Sequence, residues 1–150
     1  MPNPATHEDA RLLLELYNLR REKVLRRARD FVQQDCKFKN FKDFTKKYPE
    51  GSKKATYVGM VLGYWDLACT LVNKGLINQD LFNSTTFEHV GVWVKLKPLV
   101  EAWREAYSYP GIAAALEAVA GAHPAAPSSQ HTEAEAGQGA KKKKKKKKGK

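Results

Sequence analysis

Apolar residues recur along the chain at the three-, four- and seven-residue spacings of amphipathic helices. The stretch 7–35 contains neither glycine nor proline and is predicted to form one long N-terminal helix. Thr6 can cap its start, with Asp9 three residues later as a carboxylate variant of the capping box. One side of this helix carries the apolar residues Leu13, Tyr17, Val24, Ala28, Phe31 and Val32.

Two further helices begin at residues that favour helix caps. Asn40 is predicted to cap a short helix over about 41–48, which a proline and a glycine then end. Ser52 is predicted to cap a third helix over about 52–74, with Gly75 at the position beyond its last turn.

The helix over 52–74 is apolar almost all round, so we expect it to lie at the centre of the fold. Gly59 and Gly63 have the spacing that lets another helix pack closely. The window 55–73 is about as long as a membrane span, but Asp66 lies near its middle. A charge there costs about 2.5–3.5 kcal/mol on insertion scales. We interpret this segment as a buried helix of a soluble bundle, with membrane insertion as the alternative.

The rest of the folded part is also helical in pattern. A short helical turn is predicted near Asn78, and the spacing over 85–109 is helical throughout. Pro98 predicts a kinked helix, or two helices joined at that point. A last helix is predicted over about 110–120, with a proline at an early position. The expected fold is therefore all-α, a compact bundle of five to six helices.

The composition changes after residue 121. The bundle domain is predicted to span 6–121, followed by a linker over 122–140 that is rich in Ala, Pro, Ser, Gly and Gln. The linker has no large apolar residue and cannot bury enough surface to offset the entropy of ordering, so we expect disorder. Residues 141–150 form a cationic tail, in which adjacent like charges repel and remain extended.

The charge of the chain is concentrated in that tail. The formal net charge is +11, but nine of the 27 basic residues lie in 141–150. The other 18 basic residues face 16 acidic ones, which leaves +2 for residues 1–140. Within the folded part, 11–54 hold 14 basic and 6 acidic residues. A possible basic face on the first helix comprises Arg20, Lys23, Arg26, Arg27 and Arg29. Its alternative interpretation is an ordinary solvated surface.

The tail is the candidate polyanion-binding segment. Its members are Lys141, Lys142, Lys143, Lys144, Lys145, Lys146, Lys147, Lys148 and Lys150. They can hold nucleic acid by counterion release without reading its sequence. They can equally lie on an anionic membrane surface, or only add solubility. The favoured hypothesis is a non-enzymatic interaction module that binds polyanions nonspecifically, and the alternative is a membrane-associated protein.

Two charged residues are expected inside the bundle. Asp66 lies in the nearly all-apolar helix, and Arg104 follows an apolar run in another helix. An unpaired buried charge is very costly, so we predict that Asp66 and Arg104 form a structural pair, or that Asp66 meets a tyrosine hydroxyl.

The sequence offers no catalytic or cofactor-binding motif. The four histidines are scattered, and a structural role is expected for His89 in the predicted bundle. There is no phosphate-binding glycine loop and no Cys-x-x-Cys, so we predict neither an enzyme nor a cofactor. Cys36 and Cys69 match no metal or redox spacing, and two lone cysteines fit a reducing, cytoplasmic location.

The motifs over about 55–111 resemble a known family. The shared pattern comprises Asp66-Leu67-Ala68, Gly75-Leu76-Ile77, Leu81-Phe82, Trp93, Pro98 and Arg104. It is similar to that of small helical bacterial proteins that are catalogued as a domain of unknown function. The chain departs from the pattern at Gly91 and Val92, where a bulky aromatic residue more often precedes the tryptophan. The resemblance implies a helical bundle of bacterial origin and supplies no reaction.

Overall fold

The computed structural model describes residues 3–127, which contain helices and no strand. The α-helices are α1 (His7–Arg20), α2 (Lys23–Asp30), α3 (Phe41–Lys47), α4 (Lys53–Asn73), α5 (Gln79–Thr85), α6 (Glu88–Ala106) and α7 (Ala114–Gly121). A π-helix over Phe31–Asp35 continues α2. The all-α bundle is thereby confirmed. The predicted linker and lysine tail lie outside the described residues from position 128 onward.

The predicted first helix is divided, which is why the described chain has seven α-helices rather than six. Helix α1 ends at Arg20, and Glu22 adopts an extended ψ of 138°. The Glu22 carboxylate accepts hydrogen bonds from the backbone N–H groups of Val24 and Leu25, at 2.9 and 2.8 Å. These bonds lower the pKa of Glu22 and cap a new helix. The expectation of one continuous helix over 7–35 was wrong because a glutamate side chain replaced the backbone acceptors of the preceding turn.

The predicted caps of three helices are confirmed. Thr6 accepts from the Asp9 backbone N–H, and the Asp9 side chain bonds back to Thr6, which completes the capping box. Asn40 caps α3 through the Asp43 N–H, and Ser52 caps α4.

Asp9 also connects distant parts of the chain. Its Oδ1 accepts from the backbone N–H of Asn78 at 2.9 Å, just before α5 begins. The Asn78 amide in turn donates to the Asn3 carbonyl at 2.7 Å and accepts from the Leu81 N–H at 2.8 Å. The starts of α1 and α5 are therefore fixed by one hydrogen-bond network.

The C-terminal helices differ from prediction in detail. Helix α6 runs through Pro98 as one element from Glu88 to Ala106, so the alternative of two helices is not observed. The last helix begins at Ala114 rather than near Pro110, because the intervening turns carry Ala113 in the left-handed region at φ 53°.

Helix α4 is the centre of the bundle, as expected. Its buried residues face α2, α6 and α7. Its opposite face carries Gly59 and Gly63, which are exposed, and a Cβ at either would meet no atom within 4 Å. The expectation that these glycines admit another helix is wrong for residues 3–127. By length and composition alone, α4 is also apolar enough to cross a membrane, a property that core helices share.

The contacts of the bundle continue beyond Gly121, the predicted boundary of the domain. Ala126 packs against the core, and the His123 ring lies 5.5 Å from the His89 ring. Residues 122–127 are therefore part of the folded unit.

Candidate functional site

The structure divides the predicted basic face into an outer and an inner group. Lys23, Arg26 and Arg27 lie exposed on α2 at helical spacings of three and four residues. Arg20 and Arg29 are half-buried and turn toward α5 and α6. The possible basic face therefore does not include all five side chains, because long-range partners hold Arg20 and Arg29 partly inside the bundle.

Arg29 forms the best-defined ion pair of the bundle. Its Nε donates to Glu88 Oε1 at 2.8 Å, and its Nη2 donates to Glu88 Oε2 at 2.5 Å. The side chains are only 19% and 15% exposed, and this bidentate pair fixes α2 against the start of α6. The hydrogen bonds to Glu88 raise the pKa of Arg29 above its usual value, so the guanidinium stays charged. The Glu88 carboxylate balances that charge.

Arg20 stacks on aromatic rings instead of pairing with a carboxylate. Its guanidinium carbon lies 5.0 Å from the ring centroid of Tyr17 and 5.6 Å from that of Trp65. Its Nη1 lies 3.5 Å from the Thr86 hydroxyl. Arg20 lines a cavity of about 290 Å³, whose other walls are mainly leucine and aromatic side chains.

A second group of exposed lysines lies where α3 ends and α4 begins. The Lys54 ammonium lies 5.6 Å from the Phe31 ring, and that of Lys53 lies 5.7 Å from the Tyr57 ring. The Lys47 ammonium donates to the Lys37 carbonyl at 3.2 Å. The aromatic rings between these lysines pack on one another and are not free to stack on bases. Their contacts are Phe31 with Tyr48 and with Tyr57, and Phe44 with Tyr48.

The predicted pair of Asp66 and Arg104 is replaced by two separate interactions. Asp66 Oδ1 accepts from the backbone N–H of Leu116 at 3.0 Å, in the first turn of α7. Arg104 Nε donates to the Ile112 carbonyl at 2.9 Å. Its Nη2 lies 2.7 Å from Glu117 Oε2, an ion pair outside hydrogen-bond geometry. Each charge finds its partner in 112–117, so the two residues together hold α7 without contacting each other as a salt bridge.

His89 is fully buried among aromatic rings. Its ring centroid lies 5.0 Å from that of Phe82 and 5.8 Å from that of Trp65. Neither ring nitrogen has a hydrogen-bond partner among the described residues. Burial, and then the nearby His123, lower the pKa of His89 to about 4. The structural role predicted for His89 fits this packing, but its neighbour His123 lies in the predicted linker, where no sequence signal marked it.

A cavity of about 460 Å³ lies between α3, α4 and the end of α6. Its walls are predominantly apolar, with Phe44, Trp103 and Tyr107 on one side and Gly59 on the other. Within residues 3–127, no three His, Cys, Asp or Glu side chains lie close enough together to hold a metal ion. Cys36 and Cys69 are free thiols in the core, and burial raises the pKa of Cys69 to about 12.

The lysine tail lies outside the described residues, so the structure supplies geometry only for the basic residues of the bundle. Comparison with curated proteins and with solved structures gives no match. A family described as "Domain of unknown function (DUF4760)" matches residues 5–122. This match covers the whole helical bundle and includes the motifs over 55–111 that carried the resemblance. The chain therefore belongs to this family of unknown function.

Proposed function

We propose that the protein is a non-enzymatic module that binds polyanions, with nucleic acid as the main class of partner. The observation that carries this proposal is the density of charge at the C-terminus, where nine of ten residues are lysine. Each lysine that neutralises a phosphate releases counterions from the nucleic acid, which favours binding. Such contacts position a protein on nucleic acid but do not select a base sequence.

The bundle supplies a second, weaker contact in this proposal. Lys23, Arg26 and Arg27 are exposed on one stretch of α2, and Lys53 and Lys54 are exposed at the start of α4. Helices α2 and α4 pack against each other in the bundle. A polyanion that contacts the bundle would meet these cationic groups in fixed positions.

An anionic membrane is the alternative partner. Each lysine near such a surface contributes up to about 1 kcal/mol. Helix α4 has the length and composition of a membrane span, although its Asp66 side chain accepts a hydrogen bond from α7. The cytoplasmic location that the two free cysteines favour is compatible with either partner and belongs to the same proposal.

The test compares three full-length proteins. One is the unaltered chain, one has the nine tail lysines replaced by serine, and one carries Lys23→Gln, Arg26→Gln and Arg27→Gln. Each is titrated with duplex DNA, single-stranded RNA and anionic vesicles at several salt concentrations. We expect the unaltered chain to bind DNA with a log–log salt slope approaching about −8, from about −0.9 for each of nine contacts.

The tail variant should lose most of this affinity and salt dependence, and the α2 variant only a small part. Binding to vesicles but not to either nucleic acid would replace the proposal with its membrane alternative. Affinity for DNA that survives loss of the tail lysines but not of the α2 cations would assign recognition to the bundle. Absence of binding to all three ligands at low salt would refute the proposal.

A further inference from the structure

The cavity beside Arg20 combines apolar walls with an uncompensated positive charge. It holds about 290 Å³, close to the lower end of the range of about 300–1,000 Å³ for ligand pockets. Leu13 and Leu16 of α1 form one wall, and the rings of Trp65 and Phe82 form another. Among the described residues that line this cavity, Arg20 is the one basic residue and none is acidic.

Among residues 3–127, Arg20 has no carboxylate oxygen within 4.0 Å, although five other basic side chains do. The nearby acidic residue Glu88 is already engaged, because both of its oxygens accept from Arg29. Arg29 reaches the same region, and its Nη1 lies 3.4 Å from the Arg20 carbonyl. Two guanidinium groups and one carboxylate therefore leave one surplus positive charge, and that charge faces the cavity.

One residue of the cavity wall, Trp65, carries a donor that bonds to nothing in the described chain. Trp65 is 1% exposed, and its indole N–H has no hydrogen-bond partner. A buried donor without an acceptor is unusual, since most such groups are satisfied. The Thr86 hydroxyl accepts from Arg20 and keeps its own proton for donation. The Arg20 guanidinium and the Thr86 hydroxyl can therefore both donate to an anionic acceptor.

We propose that this cavity binds the carboxylate of a small amphipathic anion, of the class of medium-chain fatty acids. The Arg20 guanidinium takes the carboxylate in a bidentate geometry, and the leucine and aromatic walls cover the hydrocarbon chain. The half-buried position of Arg20 strengthens the interaction, because a partly desolvated cation gains more from an anion than a solvated one does. The stacked rings of Tyr17 and Trp65 hold the guanidinium in place while the ligand enters.

This site is independent of the proposed polyanion binding. Its cavity is too small and too apolar for a nucleic-acid backbone, and the proposed contacts with Arg20 and the apolar walls do not require the tail lysines. Failure of either proposal therefore leaves the other standing.

The experiment titrates the full chain with octanoate by calorimetry and follows the indole N–H resonance of Trp65 by NMR. Octanol supplies the same chain without the charge, and acetate supplies the charge without the chain. We expect saturable, one-site binding of octanoate with a shift of the Trp65 resonance. Octanol and acetate should bind at least about tenfold more weakly, because each lacks one half of the recognition.

Three variants assign the site. Arg20→Gln should weaken octanoate binding at least about tenfold, and Arg20→Lys should weaken it less because the charge remains. The matched control Arg26→Gln removes the same charge from the exposed face of α2 and should leave the affinity within about twofold. Thermal melts followed by circular dichroism verify that each variant is folded. If Arg20→Gln does not fold, Arg20→Lys, which keeps the positive charge, tests the site in its place. Equal affinities of the Arg20→Gln and Arg26→Gln variants, or octanol binding as tightly as octanoate, would overturn the proposal.

Discussion

Acidification should destabilise the bundle through His89. The imidazole is fully buried between the rings of Phe82 and Trp65, and its nitrogens have no partner in the described structure. Protonation would place a positive charge where no acceptor is available, beside the imidazole of His123. The neighbouring carboxylate of Glu88 opposes this effect but is already paired with Arg29.

The direction and the size of the effect follow from the pKa of His89. Burial lowers this pKa from 6.5 in the unfolded chain to about 4 in the folded one. As the pH falls below 6.5 the unfolded state therefore takes up a proton before the folded state does, and stability decreases until the pH passes the folded pKa. From pH 7.5 to pH 5 the unscreened loss is about 2 kcal/mol, from 1.36 kcal/mol per unit. The neighbouring His123 is only partly buried, so water close to it screens part of the positive charge on a protonated His89. We therefore expect a loss of unfolding free energy of about 1–2 kcal/mol.

The assay is urea denaturation of the full chain at pH 7.5, 6 and 5, with His89→Phe as the test variant. Phenylalanine keeps the aromatic packing and removes the titration. Between pH 7.5 and pH 5, the unaltered chain should therefore lose about 1–2 kcal/mol of unfolding free energy relative to the His89→Phe variant. The control His7→Gln removes an exposed imidazole at the start of α1 and should follow the unaltered chain. A parallel loss of stability in the unaltered chain and in His89→Phe would refute the reasoning.

Two further predictions concern the stability of the bundle. Arg29→Leu should reduce the free energy of unfolding by about 2–4 kcal/mol, because it leaves the carboxylate of Glu88 half-buried without its ion-pair partner. The double variant Arg29→Leu, Glu88→Leu should recover much of this loss in the same urea titration. If the double variant lost as much unfolding free energy as the two single variants together, this reasoning would be wrong. Gly59→Ala should raise the free energy of unfolding by about 0.5–1 kcal/mol, because the alanine Cβ meets open space in the fold and restricts the unfolded chain. Gly75→Ala should instead lower the melting temperature, because Gly75 has a φ of +74°, which strains any residue with a Cβ. A change of the same sign in both glycine variants would show that backbone conformation does not control these positions.

Local sequence signals predicted the helices well because caps act over a few residues. Thr6, Asn40 and Ser52 each accept from an N–H three positions later, and this geometry is encoded in the adjacent sequence. The apolar pattern likewise identified α4 as central, since a helix apolar all round must be covered on several sides. These parts of the fold need no knowledge of distant partners.

The sequence could not predict which charged side chains turn inward. In the sequence, Arg20 and Arg29 look like the exposed cations of α2 in residue type and spacing. Their partners Thr86 and Glu88 are 66 and 59 residues away along the chain, so no local pattern identifies them. The partner of Asp66 was missed for the same reason, since it is a backbone N–H of α7 rather than a charge. Burial of a charge predicts that it has a partner, but the partner is chosen by three-dimensional packing.

The network around Asp9 links residues 3–9 to a part of the fold that is distant in sequence. Here the Asp9 carboxylate holds the Asn78 N–H, and the Asn3 carbonyl accepts from the Asn78 side chain. Proteolytic removal of the residues before α1 would therefore loosen the entry to α5, about half a chain away. From there the disturbance would reach Phe82, whose ring lies against His89 and lines the cavity of Arg20. The segment before α1 therefore influences how tightly the side chains inside the bundle pack.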